Sequence, residues 1–209
     1  MVHELAFTSG DRYCTVWTVK SMVASPVELQ KQQPVDTRTR LLMAAVKVSC
    51  VAGPARMSLD AVAAEAGVSK GGLLYHFPSK HELLRAMIED HVIRVRARID
   101  EIAPGARESG DGPRALRAYV QVNREMLADK RPPPAGVFAF LAEAPQLNEP
   151  IEALRDEMRA LARTCADPGR ASIVVLACKG LVLETMTDTG TSPAPDEAFD
   201  AIIALAATL

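Results

Sequence analysis

Ser58, Ser69, Ser79, Lys70, Lys80, Tyr75 and His76 are crowded into one short run, MSLDAVAAEAGVSKGGLLYHFPSK, at residues 57 to 80. Hydroxyls, ammonium groups and an imidazole are hydrogen-bond donors. Grouped in this way they suit the gripping of phosphate oxygens and the touching of base edges. They do not suit bond making. No phosphate loop, dinucleotide loop or HExxH spacing occurs in the chain, and His81 and His91 lie too far apart for a conventional two-histidine metal pair on one helix.

Such donors need a rigid mount, and the same residues supply it. Ser58 can cap a short helix with Leu59, Val62, Ala63 and Ala66 on its buried side, and Gly67 supplies the left-handed residue that ends it. Val68 plugs the angle, and Ser69 caps a second helix that carries Leu73, His76 and Phe77 until Pro78 stops it. Small Ala63 lets the second helix lie close across the first. Lys70, Gly71 and Gly72 fill the first turn of that helix, although each glycine costs about 1 kcal/mol relative to alanine there. Close approach offers a reason. Without a Cβ the backbone at Gly71 and Gly72 can sit against a groove wall while Lys70 reaches a base edge or a phosphate.

This pattern, VSKGGLLYHFPSKHELL at 68 to 84, resembles the DNA-binding signature of the TetR family of transcriptional regulators, and TRTRLLMAAVKVSCVAG at 37 to 53 resembles that family's first helix. Elsewhere the likeness is one of length and helical texture. Carried over position by position, the resemblance implies that Ser58, Ser69, Tyr75, His76 and Lys80 contact phosphates. It implies that Lys70, Gly71 and Leu74 face base edges, with Gly72 in the closely approaching backbone. The family often has an aromatic where this chain has Leu74, which replaces a stack or hydrogen bond by apolar contact with a thymine methyl. His76 is either a phosphate contact or a packed, neutral imidazole.

Composition agrees with an all-α fold. Among 209 residues only nine are aromatic, alanine and leucine dominate after residue 36, and no strand-turn-strand pattern appears. Net charge is -2, but its distribution is uneven. Residues 36 to 98 hold 10 Lys/Arg against 6 Asp/Glu, whereas residues 99 to 209 hold 11 against 17. The basic half carries the donor-rich run, and an acidic body discourages the other half from lying on DNA. Cys14, Cys50, Cys165 and Cys178 are too scattered for a metal knuckle and are read as reduced and structural, with a redox pair between Cys165 and Cys178 left open. No apolar run is long enough for a membrane span, no signal peptide is legible, and a cytoplasmic location is expected. Residues 1 to 34 mix strand-like composition with a linker, so disorder or loose packing is expected. Met22, just ahead of the linker, is an alternative start.

Thr37 is expected to cap the first helix, which buries Leu41, Leu42, Ala45, Val46 and Ser49 and closes at Gly53 and Pro54. Arg38 and Arg40 in its first turn oppose the helix dipole. Either a phosphate or minor groove draws them there, or they lie on a plain solvated face. Ser79 can cap the helix that follows, with Glu82 completing a capping box, and the family resemblance implies that this helix is the relay between the two halves.

Beyond it, residues 104 to 113 read as a loop, and a helix starts near Asp111 with the stripe Leu116, Tyr119, Val120 and Asn123. Asn123 needs a partner: a backbone group, a water or a ligand. Residues 131 to 145 form a short helix with Phe138, Phe140 and Leu141. A pocket lined by Tyr119, Asn123, Phe138 and Leu141 is expected, with plain core packing as the alternative and with Glu143 either selecting a cation or facing water. Leu147, Ile151, Leu154, Met158, Leu161 and Cys165 mark a bundle helix. Residues 169 to 186 are apolar almost all round and need two partners. A homodimer through the last two helices, with a four-helix seam, satisfies that need.

The expected organisation is an N-terminal extension (1–34), a three-helix helix-turn-helix DNA-binding domain (35–82) and a helical effector-binding and dimerisation domain (83–209). The resemblance implies a dimeric regulator, most simply a repressor released from a double-stranded, pseudo-palindromic DNA operator by a small-molecule effector. No enzymatic activity, cofactor, metal or membrane is expected. The alternative is a ligand-binding helical dimer without DNA-binding activity.

Overall fold

The computed structural model describes residues 36–52, 57–128, 145–187 and 195–209, and all their regular structure is helical. The expectations for residues 1–34, for Phe138, Phe140, Leu141 and Glu143, and for the side chains of Cys14 and Cys50 lie outside what is described. Helix α1 spans Thr37–Ala52, α2 Leu59–Ala66, α3 Lys70–His76 and α4 Lys80–Ile102. A one-turn helix α5, Ala106–Ser109, precedes α6, Gly112–Ala128. A 3-10 turn, Pro145–Asn148, leads into α7, Glu149–Ala162, and α8, Pro168–Thr187, and α9, Pro195–Ala206, complete the chain.

Local chemistry sets most of these ends. Ser58, Ser69 and Ser79 each accept, through Oγ, the backbone N–H three residues on, at 3.1, 3.0 and 3.1 Å. Gly67 takes φ 66°, and two backbone bonds, Gly67 N–H to Ala64 and Val68 N–H to Ala63, close α2 in the doubly bonded glycine stop. Asp111 starts α6 as expected, its carboxylate accepting from the Arg114 N–H.

Two local expectations are corrected. Thr37 is the first helical residue, not the cap. Asp36 caps α1, accepting the Thr39 N–H at 2.9 Å and the Thr39 hydroxyl at 2.7 Å, which together hold its carboxyl below the ordinary range. The expected loop at 104–113 contains α5, because Gly105 and Gly110 both take left-handed conformations and bracket one helical turn.

Apolar side chains form two cores that meet on α4. The first unites Leu41, Leu42 and Ala45 of α1, Val62 and Ala63 of α2, Leu73 of α3 and Phe77 with Leu83, Leu84, Met87 and Ile88 of α4. The second begins at Val92 and takes in Val95 and Ile99, then α6, α7, α8 and α9 around Leu116, Val120, Met158, Val174 and Phe199. Leu147 comes from the 3-10 turn before α7 and yet lies in the first core, 1% exposed, and Ile151 packs against both. Helix α6 is the axis of the second core, touching α4, α7, α8 and α9.

Cys165 and Cys178 are free and buried in this second core, and burial pushes both thiols up, Cys178 to about 12. They pack as small hydrophobes. Asn123 finds its partner on the backbone, donating from Nδ2 to the Tyr119 carbonyl at 2.7 Å.

The start of α6 crosses the end of α7 so closely that only glycine fits. A Cβ on Gly112 would lie 2.2 Å from the Leu161 carbonyl oxygen and 2.5 Å from Thr164 Oγ1. Thr164 Oγ1 in turn accepts the Gly112 N–H at 3.2 Å and donates to a carbonyl of Gly110 or Leu161, each at 2.8 Å. Gly112→Ala should therefore cost about 1–3 kcal/mol of stability, since the atom in the way is backbone and cannot swing aside. Urea denaturation checks this, and an unchanged midpoint would show that the crossing is looser.

Candidate nucleic-acid interface

Helix α3 is held by one face only. Leu73 is wholly buried, Phe77 just beyond the helix is 2% exposed, and the intervening side chains turn outward. Tyr75 is 84% exposed and Leu74 36%, Lys70 and Gly71 are also exposed, and Gly72 and His76 are half-buried. Two adjacent large apolar groups left to solvent at a well-anchored helix are the mark of a surface built for contact. No Cβ contact closer than 3.9 Å would arise at Gly71, so the backbone there is open to an approaching surface.

Hydroxyl and ammonium donors flank this tip. Ser58 and Ser69 are exposed and Ser79 half-buried, and each hydroxyl uses a lone pair on its helix while its own hydrogen is available to donate outward. Lys80 opens α4 beside Ser79, where the helix dipole favours an anion. His76 stands edge-on to Tyr75, with ring centroids 5.2 Å apart.

Several contacts here had no signal in the sequence. Arg40, though exposed, donates from its guanidinium to the Ala66 carbonyl at 2.6 Å and so closes the C-terminal end of α2, where a cation is favoured. Arg38 lies over the Phe77 ring at 5.4 Å and ties α1 to the end of α3. Lys47 pairs with Glu65 at 2.6 Å, a second link between α1 and α2. Lys70 Nζ lies 3.0 Å from Asp60 Oδ2, across the turn between the two short helices. Pairing of this kind depends on how two helices cross, which residue spacing does not reveal.

The four pocket candidates are divided. Tyr119 and Asn123 lie one turn apart on α6, Tyr119 buried and Asn123 half-buried, whereas Phe138 and Leu141 fall outside the described residues. Burial raises the Tyr119 phenol well above its ordinary range, against the opposing effect of Arg155. Arg155 itself is mostly buried and pairs with Glu152. Half-buried His91 on α4 is pushed down to about 4 by burial and by Arg94, so it is neutral at physiological pH. Among the described residues no group of His, Cys, Asp and Glu is arranged to hold a metal ion.

Known proteins place the chain in context. Residues 41–87 match the family model for bacterial regulatory proteins of the tetR family, and residues 113–207 match that for the tetracyclin repressor-like C-terminal domain. The HTH-type transcriptional regulator TtgR of Pseudomonas putida is 32% identical over 84 residues, 37% of this chain and 40% of that protein. The uncharacterized HTH-type regulator TtgW of the same organism is 38% identical over 53 residues, 25% of this chain and 40% of that protein. The chain thus matches about two-fifths of the length of these curated relatives. Among solved structures, a transcriptional regulator of Rhodococcus sp. Rha1 is 25% identical, with TM-score 0.63 over 83% of this chain and 95% of its own. The multidrug binding protein EbrR, complexed with malachite green, shares the fold at 24% identity, with TM-score 0.61 over 82% of this chain and 98% of its own.

The position of Arg40 makes a direct prediction. Arg40→Met should remove about 1 kcal/mol of stability by leaving the end of α2 uncapped. Chemical denaturation measures it, and an unmoved midpoint would return Arg40 to the outward-facing set.

Proposed function

The chain belongs to the tetR family of bacterial regulatory proteins, and on that premise we propose that it is a homodimeric repressor. It leaves a pseudo-palindromic operator when a small-molecule effector enters its helical body. One observation carries the reading: α3 is pinned by buried Leu73 while Lys70, Gly71, Leu74 and Tyr75 face outward. In this reading Ser58, Ser69, Tyr75, His76 and Lys80 take phosphates, and Lys70, Gly71, Gly72 and Leu74 line the groove. Family members are transcriptional regulators, not enzymes. Among the described residues no helix is long and apolar enough to cross a membrane. The protein acts where its DNA is, in the cytoplasm.

Two recognition helices are needed to read a two-fold site, about one turn of the duplex apart. The surface that supplies the second copy is on α8. Its inner side is buried through Ala171, Val174, Val175 and Cys178, yet Ile173, Leu176 and Leu183 on the outer side are 58%, 60% and 47% exposed. Gly180 lies in the same line with open space above it, and exposed Ala198 and Ala201 continue the surface onto α9. A second copy covers this face in a four-helix seam.

The effector acts through α4, which carries buried residues of both cores. The far end of α4 is fixed: Arg107 pairs with Asp100 and Glu157, Arg96 with Glu157 at 2.9 Å, and Arg98 with Glu125 at 2.9 Å. Rearrangement of α6 around an effector is therefore passed to the near end, where α4 enters the first core. EbrR, which binds malachite green, supports a body able to enclose an organic molecule. A coupling of about 1–3 kcal/mol would change operator affinity roughly 5- to 150-fold.

Gel shift on the upstream region of the protein's own gene is the first test. Binding should weaken with salt, and Lys80→Ala should make the salt slope shallower by about 1 per subunit, with the fold intact by circular dichroism. Failure to bind any duplex at low salt would leave a ligand-binding helical dimer. For the seam, Leu176→Glu should give a monomer by sedimentation. A variant that remains dimeric would move the interface elsewhere.

A further inference from the structure

An acidic side chain at the tip of a DNA-reading surface is unfavourable against phosphate, yet Asp60 is there, in the first turn of α2 and 66% exposed. Its carboxylate lies 3.0 Å from the Lys70 ammonium, which is itself 59% exposed. An ion pair so open to water contributes little to folding. Lys70, however, is the first residue of α3, followed by exposed Gly71 and half-buried Gly72, so no side chain stands between its stem and an approaching groove.

We infer that Asp60 is a positioning residue for base reading, holding the Lys70 ammonium in one direction so that it reaches a fixed base pair instead of the nearest phosphate. The inference rests on the DNA-binding reading above. An ammonium has three donors and a flexible four-carbon stem. One donor taken by Asp60 fixes the head and leaves two for acceptors on a base edge, guanine O6 and N7 being the pair that lysine suits best. Because the stem is already restrained in the free protein, less rotamer freedom is lost on binding. The carboxylate also opposes any shift of the tip toward phosphate alone. That opposition penalises unselective binding more than binding in which Lys70 stays between carboxylate and base.

The rival account gives Asp60 a purely structural role, since an acid in the first turn of a helix is favourable whatever it faces. Base preference separates the two. Purified full-length wild type, Asp60→Asn, Asp60→Glu and Lys70→Met would each select duplexes from a randomised pool, with melting temperatures recorded alongside. Wild type should enrich a two-fold motif. Asp60→Asn should lose roughly fivefold or more of the preference at one symmetry-related pair of positions. Lys70→Met should flatten the same positions, the rest of the motif should be unchanged, and Asp60→Glu should restore part of the preference. Affinity for unselected DNA should hold or rise in Asp60→Asn. An unaltered motif in Asp60→Asn, or a uniform gain on every sequence, would overturn the inference while leaving the regulator reading in place. A wild type that enriches no motif would overturn both.

Discussion

Everything in this molecule depends on α4 being packed into two cores at once. Its buried residues through Ile88 belong with the helix-turn-helix, and from Val92 onward they belong with the body, so a single turn of helix separates the two. A close-packed core transmits displacement because it has few voids to absorb it. Leu147 adds a second connection, since it is fully sequestered in the first core although the 3-10 turn that carries it leads into α7. The residues just ahead of it, 131 to 145, are those from which the pocket expectation drew Phe138 and Leu141. A side chain buried in one domain therefore sits at the end of the segment proposed to meet the effector in the other.

The recognition tip shows how a weak element is held in place. A seven-residue helix with two glycines in its first turn cannot persist alone, because nucleation outweighs the few hydrogen bonds it gains. Its stability comes from outside: the Ser69 cap, buried Leu73 and Phe77, and the Arg38 cation on the Phe77 ring. Arg40 serves the same end from the opposite side, closing α2 so that the turn at Gly67 has a fixed exit.

The body solves a different problem, that of packing several helices with few aromatic side chains. It does so by close approach. Gly112 brings α6 against the end of α7, and small residues such as Ala115, Ala118, Ala162 and Ala171 are buried between the helices. Charged side chains are set at the rim, where Arg107 gathers Asp100 and Glu157 and stiffens the distal end of α4. On α8 the inner side is buried through Ala171, Val174 and Cys178, while Ile173 and Leu176 on the other side are exposed.

The sequence by itself determined the helical class, the three serine caps, the glycine stop at Gly67 and the buried stripes of α1, α6 and α7. These follow from backbone chemistry and from period, both local along the chain. Tertiary structure alone decided what two distant helices do when they cross. It gave Arg40 to the end of α2, set Lys70 on Asp60 and placed Leu147 in the core of the other domain. Even the one-turn helix α5 needed the fold, since four residues gain too few hydrogen bonds to form a helix unaided and Arg107 must be drawn to Asp100 and Glu157. Periodicity reports which face of a helix is buried. It carries no record of the partner, because that depends on the angle and offset at which one surface meets another.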